Sequence, residues 1–232
     1  MPTPKITVII PVFNTEKYLA EAIGSVLSQT VKPAGIIVVD DGSTDNSTEV
    51  ARQFEPLVRL ICQENKGAGA ARNTGIINAS GEYLAFLDAD DLWTENKLEI
   101  QLSYLQNNPG TDMVLGYVEQ FISAGLPDDY KSNLKPELEK MQGFLAGAML
   151  IKKATFLKVG FFSEKLELGE FIDWFSRAKD LGLTYEVLPE ILLRRRIHDA
   201  NMGIYKKHFK KDYTSILREA IARKRKANEQ NK

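Results

Sequence analysis

Short apolar runs rich in Val and Ile alternate with longer stretches of helical periodicity in the first half of this 232-residue chain. The strand candidates are residues 6–11, 35–40, 58–63 and 83–87. Between the first two runs, Leu19, Ala22, Ile23 and Val26 recur at the spacing of one helix face. Such alternation is typical of β-α-β units. The sequence therefore predicts an α/β fold with a mainly parallel sheet flanked by helices.

The chain divides by pattern into two lobes and a tail. Residues 1–110 carry the β-α-β pattern, and residues 111–204 are less regular. Residues 123–136 are polar and contain proline, which favours an exposed loop. Residues 205–232 hold ten Lys or Arg against three Asp or Glu, in a pattern that predicts a basic helical tail.

Composition excludes several classes of protein. Thirty basic and thirty-one acidic residues leave a net charge of -1, so no nucleic-acid partner is indicated. The single cysteine, Cys62, excludes an internal disulfide framework and favours a reducing compartment. The apolar run 143–151 is about half of the roughly 20 residues that a membrane-spanning helix needs. The N-terminus lacks the pattern of a secretory signal, and we expect a cytoplasmic protein.

An acidic triplet, Asp88-Ala89-Asp90, ends the fourth strand candidate. Side chains two residues apart in an extended chain point to the same side, so Asp88 and Asp90 can converge. Converging carboxylates repel each other unless a cation lies between them. Oxygen ligands suit Mg2+ or Mn2+, either of which would neutralise a diphosphate leaving group. The alternative is a solvated turn with a helix cap at Asp91, because short acidic motifs are common by chance.

Two more carboxylates, Asp40 and Asp41, stand at the end of the second strand candidate. Open α/β sheets bind ligands at the carboxyl edge of their strands. A carboxylate there can accept hydrogen bonds from ribose hydroxyls or from a base N–H. The alternative is an Asx turn with a helix cap, which describes Ser43 and Asp45 in either case.

A glycine-containing segment, residues 67–72 (GAGAAR), follows the third strand candidate. The dinucleotide-binding fingerprint needs a third Gly or Ala where this chain has Arg72, and it follows the first strand of its unit. Hydride transfer is therefore not indicated. The glycines allow a close approach of the backbone, and Arg72 can present its guanidinium to the nucleotide or to the metal-site carboxylates.

Four segments in this order resemble the motif series of the family 2 glycosyltransferases of GT-A fold. They are IPVFN at 10–14, VVDDGSTDNS at 38–47, ENKGAGAARNTGI at 64–76 and FLDADD at 86–91. The resemblance covers residues 5–95. It implies a nucleotide-sugar-binding lobe at 1–110, a smaller acceptor-binding and catalytic lobe at 111–204, and a cytosolic domain that uses a UDP-, GDP- or dTDP-sugar with a divalent metal.

The resemblance also implies residue roles on the donor side. Pro11, Phe13 and Glu16 would line the base pocket. Asp40 would contact the base or ribose, with Asp41 beside it. Arg72 would stand near the diphosphate, Asp88 would bind ribose or metal, and Asp90 would bind metal.

The catalytic base is ambiguous in this chain. Family members commonly carry a Glu-Asp pair whose Asp is the base, and the segment GEFIDW at 169–174 has Phe171 at that place. Glu170 and Asp173 lie three apart on a predicted helix and share a face, so both could point at the acceptor. Asp173 is slightly preferred, because Trp174 beside it suggests a sugar-stacking or partly buried setting. Glu170 could equally be an acid that interacts with the helix dipole.

The segment RRRIHDAN at 194–201 resembles the late basic segment of the same family. By that resemblance Arg195 or Arg196 would stabilise the departing nucleotide, and His198 would be a third metal ligand. A single histidine is more often structural, and which arginine faces inward is left open.

Three functions follow from these residues. The favoured function is an inverting glycosyltransferase whose acceptor is a saccharide, a lipid-linked molecule or another hydroxyl compound. A nucleotidyltransferase-like enzyme would need a Gly- and Arg-rich loop after the first strand, where this chain has Val12-Phe13-Asn14-Thr15. A non-catalytic nucleotide-sugar-binding module is suggested by Phe171. The basic tail could contact anionic lipid at the inner face of the membrane, or be a solvated helix.

Overall fold

The computed structural model describes residues 4–123, 140–199 and 210–230. The first part contains β1 (Ile6–Val12), α1 (Leu19–Leu27), β2 (Gly35–Asp40), α2 (Ser47–Arg52), β3 (Arg59–Cys62), α3 (Ala68–Asn78), β4 (Tyr83–Phe86), β5 (Leu92–Trp93) and α4 (Lys97–Asn107). The rest contains β6 (Met113–Ile122), β7 (Met141–Gln142), a 3-10 turn (Ala146–Ala148), β8 (Leu150–Lys152), α5 (Lys153–Val159), α6 (Glu170–Asp180), β9 (Tyr185–Ile197) and α7 (Lys210–Gln230).

The strands form one sheet with the order β3-β2-β1-β4-β8-β6-β9-β5, and β7 pairs with β6. The four strands from β3 to β4 are mutually parallel. Beyond them β8 is antiparallel to β4, β6 is antiparallel to β8, and β9 is parallel to β6. The strand β1 lies inside the sheet, and its apolar run is buried because helices cover both faces.

Two apolar clusters fill the two faces of the sheet. One face packs against α1, α2 and α4, with Ile23 and Leu98 among the buried contacts. The other face packs against α3, α5 and α6, with Phe156 and Trp174 among the buried aromatic side chains. The ring of Trp174 is fully buried and stacks on Phe156 with 4.6 Å between centroids. The suggestion that Trp174 stacks on a sugar is therefore wrong, because no face of its ring is available.

The α/β fold predicted from the sequence is confirmed, with the first four strands within two residues of their predicted bounds. The long strands β6 and β9 were not predicted. Only the start of the predicted loop 123–136 and part of the tail at 205–232 lie within the described residues. The predicted division between residues 110 and 111 falls in the turn between α4 and β6, and the sheet continues across it.

The helix α7 lies against α6 and runs in the same direction. A side chain at Gly169 would meet Ile216, and Arg223 contacts Ser176 and Asp180. Among the helices in the described ranges, none is both long and apolar enough to cross a membrane.

Lys97 is a buried lysine on the face of the sheet that α4 covers. Its Nζ donates to Gln101 Oε1 at 2.7 Å and to the Met149 carbonyl at 3.4 Å, and it lies 4.2 Å from the centroid of the Trp93 ring. Burial lowers the pKa of Lys97 well below its ordinary value of 10.5. Folding then removes a proton from this amine whenever the pH lies between the lowered pKa and 10.5.

We expect the stability of the wild type to rise, relative to Lys97→Met, as the pH is raised towards 10.5. The unfolded chain binds one more proton at Lys97 in this window, so the difference should grow by up to about 1.4 kcal/mol per pH unit. Urea unfolding of both proteins at several alkaline pH values measures this slope. The matched control is Lys158→Met at an exposed position, whose stability should depend on pH as that of the wild type does. Equal slopes of stability against pH for Lys97→Met and the wild type would contradict the lowered pKa of Lys97.

Candidate active site

The loops that follow β1, β2 and β4 meet at one edge of the sheet, since these strands are parallel. Asp40 is buried at the end of β2, where Oδ1 accepts from the Ser43 amide at 2.9 Å and Oδ2 accepts from the Thr48 hydroxyl. The Asx turn expected at Asp45 is present, because Asp45 Oδ1 accepts from the Ser47 amide at 2.9 Å, whereas the contact of Asp40 with Ser43 joins residues three apart. The position of Asp40 beside the edge is compatible with its predicted role, and its carboxylate also holds the turn that shapes the edge.

Asp41 holds the loop that leads into α3. Its Oδ1 accepts from Gln63 Nε2 and from the Lys66 amide, and its Oδ2 accepts from the Gly67 amide at 2.8 Å. Gly67 has φ of 90°, a conformation that favours glycine. Asp41 thus fixes the start of α3, the helix that carries Arg72 to the site.

The loop after β1 is tied to the loop after β2. Glu16 accepts through Oε2 from the amide and the side chain of Asn46, both at 2.9 Å, and its own amide donates to Asp45 at 3.0 Å. Pro11 is half-buried and Phe13 is exposed at the start of this loop. The ring of Phe13 is therefore accessible to a ligand, whereas the carboxylate of Glu16 already has a structural partner.

Arg72 connects the two halves of the site. The guanidinium is buried, and it donates from Nη2 to Asp88 Oδ1 at 2.5 Å and from Nη1 to Glu170 Oε1 at 2.5 Å. Burial acts to lower the pKa of Arg72, but the charges and hydrogen bonds of Asp88 and Glu170 outweigh it and raise the pKa. Asp88 follows β4 and Glu170 begins α6. The bridge therefore joins segments that are distant in the sequence, since Arg72 and Glu170 are 98 positions apart.

Asp90, two residues after Asp88 in the chain, meets His198. The His198 Nε2 lies 2.9 Å from Asp90 Oδ2, and the buried ring packs against Tyr18 with 4.6 Å between centroids. Next to them Asp91 is buried and accepts from the Arg196 amide at 2.8 Å. Burial, and then the charges of Asp90 and Asp88, raises the pKa of Asp91 well above its ordinary value. Burial and the negative charges of Asp90 and Asp88 therefore disfavour the ionised form of Asp91.

The arginines of β9 differ in their surroundings. Arg196 is buried and donates to the Asp90 carbonyl at 2.9 Å and to Glu21 Oε2 at 2.7 Å. Its guanidinium also lies over the rings of Tyr18 and Phe121. Arg195 is half-buried on the alternate side of the strand, and its charge acts on Asp91. Of the two arginines, Arg195 is the more accessible to a ligand.

The structure brings Glu170, and not Asp173, to the carboxylates of the edge. Glu170 begins α6 after Gly169, which has φ of 83°. Asp173 is buried and accepts from Arg177 Nε at 3.0 Å, with Arg223 Nη1 at 3.9 Å. Arg177 also donates to two backbone carbonyls, those of Val159 and Phe161. Asp173 therefore belongs to an ion network between α5, α6 and α7.

Asp90, His198 and Asp88 are the side chains at this edge that could contribute to holding a divalent cation such as Mg2+ or Mn2+. Asp90 and His198 bring an oxygen and a nitrogen to within 2.9 Å of each other, and Asp88 adds a carboxylate that is 42% exposed. Within the described ranges, no group of three or more side chains has the arrangement of a complete metal site. A divalent ion here would take its other ligands from phosphate oxygens and water, as Mg2+ commonly does.

Tyr18 and Glu21 were not predicted from the sequence as part of this site. Both lie at the start of α1, where Tyr18 packs against His198 and Glu21 binds Arg196. Polar residues at the start of a surface helix resemble ordinary solvated positions. Their helix follows β1, which lies inside the sheet, and this position in the chain is the signal that could have found them.

The family model described as Glycosyl transferase family 2 matches residues 7–163 of the chain. An uncharacterized glycosyltransferase of Rickettsia typhi is 34% identical over 213 residues, which cover 85% of this chain and 65% of the relative. Glycosyltransferase GlyG of Streptococcus pneumoniae is 44% identical over 115 residues, 48% of this chain and 38% of the relative. The chain thus spans less than two thirds of the length of these relatives.

Among solved structures, S. aureus TarS 1-349 in complex with UDP-GlcNAc superposes with a TM-score of 0.75 at 21% identity. The match covers 94% of this chain and 66% of that chain. The complex of the same protein with UDP gives a TM-score of 0.72, also at 21% identity. These likenesses establish the fold, and the expected GT-A architecture is confirmed.

We expect Arg72→Met to destabilise the protein by about 3 kcal/mol, because it leaves Glu170 buried without its counter-charge. The same substitution should cost less in a Glu170→Gln background, where no ionised carboxylate remains at that position. Urea unfolding of the four proteins of this double-mutant cycle measures the coupling. As a matched control, Arg52→Met removes an exposed ion pair with Glu49 and should change stability by less than about 0.5 kcal/mol. Additive costs for Arg72 and Glu170 would contradict the bridge.

Proposed function

The chain belongs to glycosyl transferase family 2, and from this we propose that it transfers a sugar from a nucleotide-diphosphate donor to an acceptor hydroxyl with inversion. One observation carries the proposal: Arg72 joins Glu170, at the start of α6, to Asp88, at the end of β4. A carboxylate able to take a proton therefore lies beside the edge where α/β sheets hold nucleotides.

The donor would bind across the loops after β1, β2 and β4. We propose that the nucleobase of the donor lies beside Pro11 and Phe13, and that Asp40 and Asp88 bind its ribose. Solved structures of similar fold support a nucleotide-sugar donor, because the TarS complexes contain UDP and UDP-GlcNAc. A UDP-sugar is accordingly the first donor to test. We assign Arg195 to the diphosphate, where its guanidinium would balance the negative charge that develops on the leaving group.

A divalent cation, Mg2+ or Mn2+, would be held by Asp90 and His198, with Asp88 beside them. Bound there, it would supply positive charge to the oxygens of the diphosphate leaving group. The ring of His198 is kept in place by Tyr18, and the strand that precedes it is tied by Arg196 to Asp91 and Glu21. These contacts would hold the ligand atoms at the site before the donor arrives.

We assign the role of general base, which takes the proton of the acceptor hydroxyl, to Glu170. The acceptor oxygen would attack the anomeric carbon, its proton would pass to Glu170, and the bond from the sugar to the diphosphate oxygen would break. The bridge to Arg72 uses Oε1 of Glu170, and we assign Oε2 to the acceptor hydroxyl. Asp173 is the weaker candidate, because its carboxylate is held by Arg177 inside the α5–α6–α7 network.

Nucleotide release from UDP-, GDP- and dTDP-sugars, with Mn2+ or with EDTA, tests this proposal. We expect release in Mn2+ and its loss in EDTA, and a loss of at least about 100-fold in Asp90→Asn and in Glu170→Gln. Asp173→Asn is the matched control on the same helix. Its rate of nucleotide release should lie within a few fold of the wild-type rate, and the substitution should instead lower the free energy of unfolding.

Three results would contradict parts of the proposal. A loss of release in Asp173→Asn, with Glu170→Gln active and both proteins folded, would make Asp173 the base. Release that is unaffected by EDTA would exclude the metal requirement. Donor binding without release under any condition would favour the non-catalytic binding module, which the phenylalanine at position 171 suggests.

A further inference from the structure

The helix α7 has an exposed apolar stripe. Tyr213, Leu217 and Ile221 are 49%, 61% and 44% exposed, and their spacing of four residues places them in one row along the helix. The neighbouring side of α7 faces α6, because Ile216 is buried at Gly169 and Arg223 binds Asp180. Leu217 and Ile221 are therefore exposed beside the contact with α6, and Tyr213 lies at the edge of that contact.

Basic side chains border this stripe. At 100° per residue, Lys224 extends the row beyond Ile221, and Arg218 and Arg225 lie together along its outer edge. The acids of this part of α7 lie on the other flank, and one of them, Asp212, accepts from the Leu168 amide at 3.2 Å. An apolar row edged by cations is complementary to one chemical surface, a lipid bilayer with anionic head groups.

An apolar hollow of about 210 Å³ continues this surface onto α6. Ile172 and Lys179 lie at its rim, and aromatic side chains line the rest of it. The lining residues that belong to α6, among them Ile172, Phe175 and Lys179, lie on the face of that helix next to the one that α7 covers. Because α6 and α7 run in the same direction, the helical geometry puts the hollow and the α7 stripe on the same side of the pair.

We propose that this side of the α6–α7 pair binds an anionic lipid bilayer. A short apolar row alone binds lipid weakly and reversibly, and the cations beside it supply the second contribution that stable attachment needs. The start of α7 lies at Gly169, next to Glu170. If the function proposed above holds, the bilayer delivers a lipid-linked acceptor hydroxyl to that carboxylate.

Sedimentation with vesicles tests the bilayer contact without any donor or acceptor. We expect the wild type to bind vesicles made of equal parts of phosphatidylglycerol and phosphatidylcholine, and not vesicles of phosphatidylcholine alone. Binding should weaken on going from about 0.1 M to about 0.5 M NaCl. Because activity is not measured, failure here leaves the glycosyltransferase proposal standing, and loss of nucleotide release leaves this one standing.

Two pairs of matched variants identify the surface. Leu217→Asp with Ile221→Asp should reduce partitioning by at least about tenfold, whereas Leu57→Asp with Ile77→Asp, at positions 63% and 68% exposed elsewhere on the molecule, should leave it unchanged. Arg218→Gln with Arg225→Gln should reduce it by about 30-fold, and Arg52→Gln with Arg59→Gln should not.

Several outcomes would overturn the proposal. They are absence of binding to the anionic vesicles, equal binding to both vesicle types, and equal losses in the α7 and control variants. Light scattering tests whether a second copy of the chain covers the stripe instead. That alternative would hold if the wild type is a dimer that does not bind vesicles and the variant Leu217→Asp with Ile221→Asp is a monomer. Circular dichroism of each variant excludes loss of the fold as the cause.

Discussion

The ion bridges of Arg72 are the contacts on which the site depends. A buried guanidinium is costly unless carboxylates compensate it, and here one carboxylate comes from each half of the chain. The same geometry explains why α3 must begin where it does, because Asp41 anchors Gly67 and so sets the position of Arg72. The requirement to neutralise one buried charge therefore brings Asp88 and Glu170 to one place.

A second constraint acts at the other end of the acidic segment. Arg196 ties β9 to the backbone of Asp90, to the carboxylate of Asp91 and to Glu21. The strand that carries His198 is held in register by these contacts and by its long parallel pairing with β6. Arg196 is thus a positioning residue in this account, while Arg195, on the alternate side of the strand, is the one left for the diphosphate.

The regular half of the fold could be predicted from the sequence, and the second half could not. The strands β1 to β4 are buried on both faces, so their runs are continuously apolar and stand out. By contrast, β6 and β9 mix apolar with polar residues along an irregular pairing that includes register shifts. That Asp40 and Asp88 lie at the carboxyl edge of the sheet could be predicted, because each residue ends or follows a strand of the parallel part of the sheet. The choice between Glu170 and Asp173 could not, because it depends on Arg72, which reaches Glu170 from α3, and on Arg223, which reaches Asp173 through the packing of α6 and α7. Only the contact of Asp173 with Arg177, four residues along the same helix, could be read from the sequence. Sequence spacing placed both acids on one face, and the neighbours that distinguish them lie elsewhere in the chain.

The most direct test of the account is where a metal binds when nucleotide is present. We would measure anomalous scattering at the manganese edge from crystals grown with Mn2+ and UDP. The account predicts a single strong peak within bonding distance of Asp90 and His198, with diphosphate oxygens completing the coordination. A peak at another place, or none with UDP clearly bound, would contradict the claim that this acidic edge holds the metal and diphosphate of a sugar donor.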